Sequence, residues 1–160
     1  MPPHLQVGEP APEFTLTNQQ GKKIPPMTLE GKKLLLSFHP LAWTSVCEIQ
    51  MRTLEAKSSR LEELDVIAYG ISVDSAPSKK AWAQALDIKH TNLLADFWPH
   101  GQVAQQYGLF DADKGISGRA NILIGLNRRI EWMRVYEMGQ IPDIEEIIEF
   151  IAANHQESKE

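Results

Sequence analysis

Apolar residues recur along the chain with two different periods, which predict β-strands and α-helices in alternation. Two short apolar runs, 33–38 and 66–73, have the length and composition of strands that are buried on both faces. Polar and apolar residues alternate over 13–17 and lead into the turn sequence 18–21, a pattern typical of a short strand. The predicted strands together cover residues 13–17, 33–38, 66–73, 93–94, 120–126 and 130–136.

Helical spacing of apolar residues fills the intervals between the predicted strands. Ser75 provides a cap signal, and Pro77 suits the first turn of the helix that follows. The predicted helices cover residues 45–64, 77–86, 101–107 and a terminal segment that begins at Pro142. Because strands alternate with helices and the last two strands are adjacent, we expect an α/β protein with a central mixed sheet flanked by helices. This order outlines a thioredoxin-like fold with an N-terminal extension.

Length and composition are those of a single domain, 1–160, whose polar end, 155–160, is predicted to be a frayed tail. The net charge of −5 argues against nucleic-acid binding, because such an interface needs basic patches. No apolar run is long enough to span a membrane and no signal-peptide core opens the chain, so we expect a soluble, cytoplasmic protein. The single cysteine, Cys47, excludes an internal disulfide.

Cys47 lies where the buried strand 33–38 gives way to the first predicted helix. Ser45 and Glu48 fit the capping-box pattern, in which Ser45 caps the helix and Glu48 reaches back to it. Cys47 is therefore predicted in the first helical turn, among free backbone N–H groups and at the positive end of the helix dipole. Both features favour a thiolate over a thiol.

The helix terminus alone does not supply enough free energy to make a reactive thiolate. A free cysteine with a pKa of about 8.5 is only about 3% ionised at neutral pH, and a pKa near 6 requires about 3.4 kcal/mol. A helix terminus supplies about 0.3–1 kcal/mol, and up to about 2 kcal/mol in favourable geometry. A cation or hydroxyl donors must add the remainder. These residues by themselves leave two interpretations open, a buried structural cysteine and a reactive one.

A longer motif around the cysteine separates these interpretations. Proline, three residues, threonine, two residues and cysteine follow one another as Pro40, Thr44 and Cys47, and Arg119 opens the later predicted strand in the segment 118–124. In these features the chain resembles the peroxiredoxins, thiol peroxidases of the thioredoxin superfamily. The resemblance extends over residues 7–151 and is to the AhpC/TSA, AhpE-like or bacterioferritin-comigratory-protein-like members.

The resemblance implies a role for each residue of the motif. Cys47 attacks one oxygen of a hydroperoxide and becomes a sulfenic acid. Thr44 hydrogen-bonds the thiolate and the peroxide, while Arg119 favours the thiolate and stabilises charge that develops on the breaking O–O bond. Pro40 shields the sulfur. The backbone N–H of Cys47 is a further candidate donor to the peroxide.

The chain departs from the family pattern in two respects. Many members carry an acidic residue three positions after the cysteine, where this chain has Gln50. The acidic residue Glu48 directly follows Cys47 instead. A second cysteine that would resolve the sulfenic acid is absent. The resemblance therefore implies a one-cysteine enzyme that uses no cofactor and is reduced by an external thiol such as thioredoxin, glutaredoxin or a low-molecular-weight thiol. A homodimer is also expected.

Other residues and functions are weighed against this interpretation. The histidines are scattered and predict no metal site; His39 either tunes Cys47 or, as we expect, ends a strand. Trp43 and Trp98 are predicted to be packing residues of the core or its rim, with a dimer contact as the alternative. Two other functions use the same fold: a peroxide sensor that forms a mixed disulfide with a partner protein, and an interaction module with an inert cysteine.

Overall fold

The computed structural model describes residues 5–155. The first four residues of the predicted extension and residues 156–160 of the predicted tail lie outside this range. The strands are β1 (Leu16–Asn18), β2 (Lys23–Ile24), β3 (Lys33–Phe38), β4 (Val66–Ser72), β5 (Asn92–Ala95), β6 (Phe110–Asp111), β7 (Ile116–Ser117), β8 (Arg119–Ile124) and β9 (Ile130–Tyr136). The helices are α1 (Ser45–Ala56), α2 (Ser58–Glu63), α3 (Ala76–Leu86), α4 (Gln102–Gln106) and α5 (Ile144–Asn154), with a 3₁₀ turn at Pro26–Thr28.

Seven strands form one mixed sheet in the order β2-β1-β5-β4-β3-β8-β9. The interior strand β3 pairs parallel with β4 and antiparallel with β8, so that Phe38 lies opposite both Ile71 and Ala120. The predicted pair of late strands is present as the antiparallel ladder of β8 and β9. This mixed sheet with its helices agrees with the predicted α/β architecture.

The core consists of two apolar clusters because successive side chains of a buried strand point to opposite faces of the sheet. In β3, Leu35 belongs to one cluster and Leu36 to the other, and both are completely buried. The first cluster contains apolar side chains of α1, α2, α3 and α5 together with Cys47. The second contains side chains of α4 and of the N-terminal region. Continuous burial of β3 therefore has the cause that the sequence predicted, cover on both faces.

Short elements and helix ends differ from the prediction. The expected strand 13–17 begins only at Leu16, where pairing with Ile24 starts. The two-residue strand β2 was not predicted, because its residues are polar and prolines follow them. It is a strand only because it pairs with β1. The single predicted helix 45–64 is two helices that meet at Lys57, whose backbone leaves the helical geometry at φ −97° and ψ 6°. Apolar spacing continues through this break, so the pattern does not reveal it.

The turn before β5 is held by one carboxylate on α1. Glu55 accepts hydrogen bonds from the backbone N–H groups of Lys89, His90 and Thr91, at 2.8, 3.1 and 3.0 Å, and from the Thr91 hydroxyl at 3.0 Å. Burial raises the pKa of Glu55, but these four donors outweigh it, so the pKa lies below its ordinary value of 4.5. The charged carboxylate therefore joins α1 to the sheet.

We expect Glu55→Gln to make the protein less stable at neutral pH and less sensitive to acid. A carboxylate whose native pKa is lowered contributes stability above its unfolded pKa, and this contribution disappears as the pH falls through the native value. Urea unfolding at a series of pH values should show the two proteins converging as the pH falls below about 4.5. The exposed Glu62→Gln is the matched control. A constant difference between Glu55→Gln and the natural protein at all pH values would contradict this role.

Candidate active site

A short loop carries the chain from the carboxyl end of β3 into α1 and presents Cys47. The loop is anchored to β4, because the backbone N–H of Ala42 donates to the Asp74 carboxylate at 2.8 Å and the Ser72 hydroxyl donates to the same oxygen at 2.6 Å. Trp43 adopts a positive φ of 70°, which is uncommon for a residue other than glycine. This turn sets the direction in which α1 begins.

The predicted capping box is wrong, although the predicted position of the cysteine is right. Helix α1 begins at Ser45, and Thr44 is the N-cap, with an extended backbone at φ −102° and ψ 152°. No side chain caps the helix: Thr44 donates its hydroxyl to the Leu41 carbonyl at 2.8 Å, and the Glu48 carboxylate lies 3.8 Å from Arg52. Cys47 is therefore the third helical residue, in a first turn that no side chain caps.

Cys47 and Arg119 are in direct contact inside the protein. The Sγ atom lies 3.4 Å from Nη1 of Arg119, across 72 positions of sequence. Cys47 is completely buried and Arg119 is 3% exposed, so solvent screens this contact little. Arg119 begins β8, as the sequence predicted. The guanidinium is held by the Met138 carbonyl, which accepts from Nε at 3.2 Å and from Nη2 at 2.7 Å.

A chain of polar groups extends from the arginine into the sheet. Nη1 of Arg119 also donates to Oε1 of Gln50 at 2.7 Å, and Nε2 of Gln50 donates to the Ser37 hydroxyl at 2.6 Å. Ser37 in turn donates to Oδ1 of Asn121 at 2.8 Å. All four residues are buried. Many members of the family that the chain resembles have an acidic residue at the position of Gln50. Because the Gln50 side chain is neutral, it does not cancel the charge of Arg119.

The other two predicted site residues border the cysteine along the chain. Pro40 is buried two positions after the end of β3, where it contributes no N–H group. Thr44 is exposed, and its hydroxyl hydrogen points to Leu41 rather than to the sulfur. Since that oxygen still has free lone pairs, it can accept a hydrogen bond from an incoming group. The structure thus brings Cys47 and Arg119 into contact and places Thr44 at the exposed N-terminus of α1.

A buried lysine near the cysteine was not predicted. Nζ of Lys79, on α3, lies 2.8 Å from Nε2 of His39, and both residues are completely buried. His39 follows β3 directly and continues its pairing with β4, as expected for a residue that ends a strand. The sequence does contain a signal for this burial, because Lys79 has the helical spacing of the apolar face of α3, which it shares with Trp82, Ala83 and Leu86.

The two tryptophans predicted to pack are exposed. Trp43 is 57% and Trp98 82% exposed, so neither lies in the core, while rim packing and the dimer-contact alternative stay predictions. Within residues 5–155 there is no cluster of three or more histidine, cysteine or acidic side chains that could hold a metal ion. Over the same range no helix is long and apolar enough to cross a membrane.

The sheet order is that of a thioredoxin-like fold. The buried cysteine at the helix start that follows β3 places the chain among the proteins of this fold that carry a cysteine at the active-site position. Comparison with known proteins narrows this class. The reduced 2-Cys peroxiredoxin of Plasmodium vivax has a similar crystal structure, with a TM-score of 0.86 and 27% sequence identity over 96% of this chain and 83% of that one.

Sequence comparisons agree with the structural similarity. Alkyl hydroperoxide reductase E of Mycobacterium tuberculosis is 36% identical over 143 residues, which cover 87% of this chain and 91% of the relative. A peroxiredoxin of Thermoplasma volcanium is 32% identical over 156 residues, covering 92% of this chain and 73% of the relative. The AhpC/TSA family model matches residues 7–133. The chain therefore belongs to the AhpC/TSA family of peroxiredoxins, which confirms the resemblance and the fold predicted from the sequence.

Proposed function

We propose that the protein is a one-cysteine thiol peroxidase that reduces hydrogen peroxide or organic hydroperoxides. The observation that carries this proposal is the buried contact of 3.4 Å between Cys47 and Arg119 in the uncapped first turn of α1. Family membership and relatives named alkyl hydroperoxide reductase E and peroxiredoxin support the reaction class. The single cysteine supports the one-cysteine mechanism.

In the proposed mechanism, the Cys47 thiolate attacks one peroxide oxygen in line with the O–O bond. The S–O bond forms as the O–O bond breaks, and the electron pair leaves with the distal oxygen as alkoxide or hydroxide. That oxygen takes up a proton and departs as alcohol or water, while Cys47 becomes a sulfenic acid. Arg119 stabilises the thiolate before attack and the negative charge that moves along the O–O bond during it.

Thr44 and the backbone position the peroxide. The Thr44 hydroxyl donates its hydrogen to the Leu41 carbonyl, so its oxygen presents only lone pairs to the peroxide and can accept a hydrogen bond from the peroxide O–H. The N–H of Cys47 lies in a turn that no side chain caps, and it is proposed as a donor to the attacked oxygen. Buried Pro40 shields the sulfur from bulk water and fixes the loop.

An external thiol completes the cycle, because the chain has no second cysteine. The thiol attacks the sulfenic sulfur, water leaves, and a second thiol reduces the mixed disulfide and regenerates Cys47. Thioredoxin, glutaredoxin and low-molecular-weight thiols are the candidate reductants, and no prosthetic cofactor takes part. The homodimer and the cytoplasmic location expected from the sequence stay predictions.

Rapid mixing of the reduced protein with one equivalent of peroxide tests the proposal. We expect oxidation of Cys47 to be far faster than that of free cysteine and to give a sulfenic acid that dimedone traps. Cys47→Ser, the control, should react with neither reagent. A rate no greater than that of free cysteine would rule the peroxidase out and leave the interaction module with an inert cysteine.

The same oxidation without turnover would indicate a peroxide sensor, the second candidate function. Complete burial of Cys47 does not separate the two candidates, since a reductant and a partner protein both need access to the sulfur. Steady-state peroxide consumption with thioredoxin, glutaredoxin and glutathione distinguishes the two functions. We expect many turnovers with at least one donor. Rapid single oxidation with no turnover on any donor would instead support the sensor.

A further inference from the structure

Two polar side chains interrupt the buried strands β3 and β8 at facing positions. Ser37 and Asn121 are partners in the antiparallel ladder, and both are buried among apolar neighbours. Since side chains alternate along a strand, Ser37 lies on the same face as Leu35 and Asn121 on the same face as Leu123, the face that α1 and α5 cover. A polar group in the interior costs free energy unless it is hydrogen-bonded, so this pair calls for an explanation.

The hydrogen bonds of this pair determine how the Gln50 side chain is oriented. Asn121 accepts the single hydroxyl hydrogen of Ser37 at 2.8 Å, which leaves the Ser37 oxygen to accept from Nε2 of Gln50 at 2.6 Å. The Phe38 carbonyl accepts from the same Nε2 at 3.2 Å. Because both of these partners accept, the amide nitrogen of Gln50 faces them, and its oxygen faces Arg119 at 2.7 Å.

The amide oxygen of Gln50 is one of two fixed acceptors on the guanidinium of Arg119. The Met138 carbonyl accepts from Nε and Nη2 on one side. Gln50 accepts from Nη1, the atom that also contacts Sγ of Cys47. Among residues 5–155, Oε1 of Gln50 is the only oxygen to which Nη1 donates. An arginine side chain has many rotamers, so an acceptor on each side selects the one in which Nη1 meets the sulfur.

We propose that Ser37 and Asn121 are positioning residues, which orient the Gln50 amide and so hold the Arg119 guanidinium against Cys47. For its catalytic consequence this inference rests on the proposed function, while the arrangement itself can be tested without peroxide. The pair acts on the reaction only through Arg119. Its effect is preorganisation, because the guanidinium is already in place when negative charge develops on the breaking O–O bond and does not have to move.

Replacement of Ser37 by alanine should slow the oxidation of Cys47 by hydrogen peroxide by about tenfold, since a small misplacement of a catalytic group is costly. Alkylation by iodoacetamide, which does not need the guanidinium in the transition state, should fall by a smaller factor. Thr91→Val is the matched control, because it removes a buried hydroxyl that donates to Glu55 at 3.0 Å, away from the site. It should change both rates less than twofold, or about 0.4 kcal/mol.

A double-variant cycle with Arg119→Met separates positioning from a general structural effect. If Ser37 acts only through Arg119, adding Ser37→Ala to Arg119→Met should not slow the oxidation further. Ser37→Thr keeps the hydroxyl and should retain most of the natural rate, while Asn121→Leu should slow oxidation about as much as Ser37→Ala. A natural rate in Ser37→Ala would overturn the inference. The same loss from Ser37→Ala with and without Arg119 would overturn it as well, because that result indicates a structural role.

A measurement by NMR requires no peroxidase activity, so this inference and the proposed function can fail separately. In the reduced natural protein, we expect the Arg119 guanidinium N–H signals, assigned by their loss in Arg119→Met, to be resolved and slow to exchange with water. In Ser37→Ala and Asn121→Leu the exchange should be about tenfold faster, because Nη1 is held less firmly. Unchanged exchange in both variants would contradict the inference. Fast exchange in the natural protein would also contradict it, and that result needs no variant to fold.

Discussion

Replacement of Arg119 by methionine is expected to slow the oxidation of Cys47 by hydrogen peroxide by about 10²- to 10³-fold, the usual cost of removing one donor to a developing oxyanion. Methionine is unbranched and apolar, so it fills part of the buried space and removes the charge. Stopped-flow tryptophan fluorescence gives the rate constant, and circular dichroism shows whether the variant is folded. The physical reason is the buried contact between Nη1 and Sγ, where solvent weakens the interaction little.

Two controls identify what Arg119 contributes. Arg134→Met removes an exposed arginine from β9 and should change the rate less than twofold, which corresponds to less than about 0.4 kcal/mol. Alkylation by iodoacetamide reports only the thiolate, so in Arg119→Met it should fall by a smaller factor than oxidation by peroxide. An unchanged peroxide rate would remove Arg119 from the reaction. Equal losses with both reagents would limit its role to ionising the thiol.

Replacement of Ile147 by alanine is expected to lower the free energy of unfolding by about 2–5 kcal/mol. Ile147 is completely buried on the apolar face of α5, in the same cluster as Leu35 and Leu123 of the central strands. Removal of three carbon atoms leaves a cavity that the rigid sheet cannot close. Urea denaturation measures the change, and each kcal/mol lowers Tm by about 2–4 °C in a chain of this size.

The matched control for this variant lies two residues further along the same helix. Glu149 is exposed, so Glu149→Ala should alter the free energy of unfolding by less than about 0.5 kcal/mol. A loss for Glu149→Ala as large as that for Ile147→Ala would contradict the packing explanation, because Glu149 is exposed and alanine is the better helix former. A loss below about 1 kcal/mol for Ile147→Ala would mean that the helix shifts to fill the space.

The main sheet was predictable because its strands are distinguished by local composition. Strands β3 and β4 are apolar on both faces, and a strand of this kind needs cover on each side wherever it lies in the fold. By contrast, β2 exists only through pairing with β1, and the break at Lys57 interrupts an apolar pattern that continues past it. Neither feature is marked by the hydrophobic pattern of its own residues.

The site was predictable in part, for a similar reason. The position of Cys47 in a first helical turn follows from neighbouring residues, and the free-energy argument requires a cation nearby. Which cation it is depends on β8 lying beside β3, and only the family resemblance pointed to Arg119. The capping box failed because Thr44, one position earlier, takes the N-cap backbone conformation.

Lys79 was missed because lysine is ordinarily assigned to a solvated helix face. Its position contradicts that assignment, since it shares a face of α3 with the buried side chains of Trp82, Ala83 and Leu86. The amino-acid sequence itself therefore contains the signal, a lysine at an otherwise apolar helical position. The histidine that pairs with it, His39, gives no comparable signal, because it stands at a strand end.

The six residues from Asp74 to Lys79 have a fixed register against the loop that carries the cysteine. Asp74 binds the Ala42 N–H, Ser78 accepts from the Trp43 indole at 3.2 Å, and Lys79 meets His39. One inserted residue between Ser75 and Ser78 would turn Ser78 and Lys79 by about 100° around the helix axis relative to Asp74 and disturb both of their contacts together. This segment should therefore tolerate substitution of its exposed side chains far better than any change in its length.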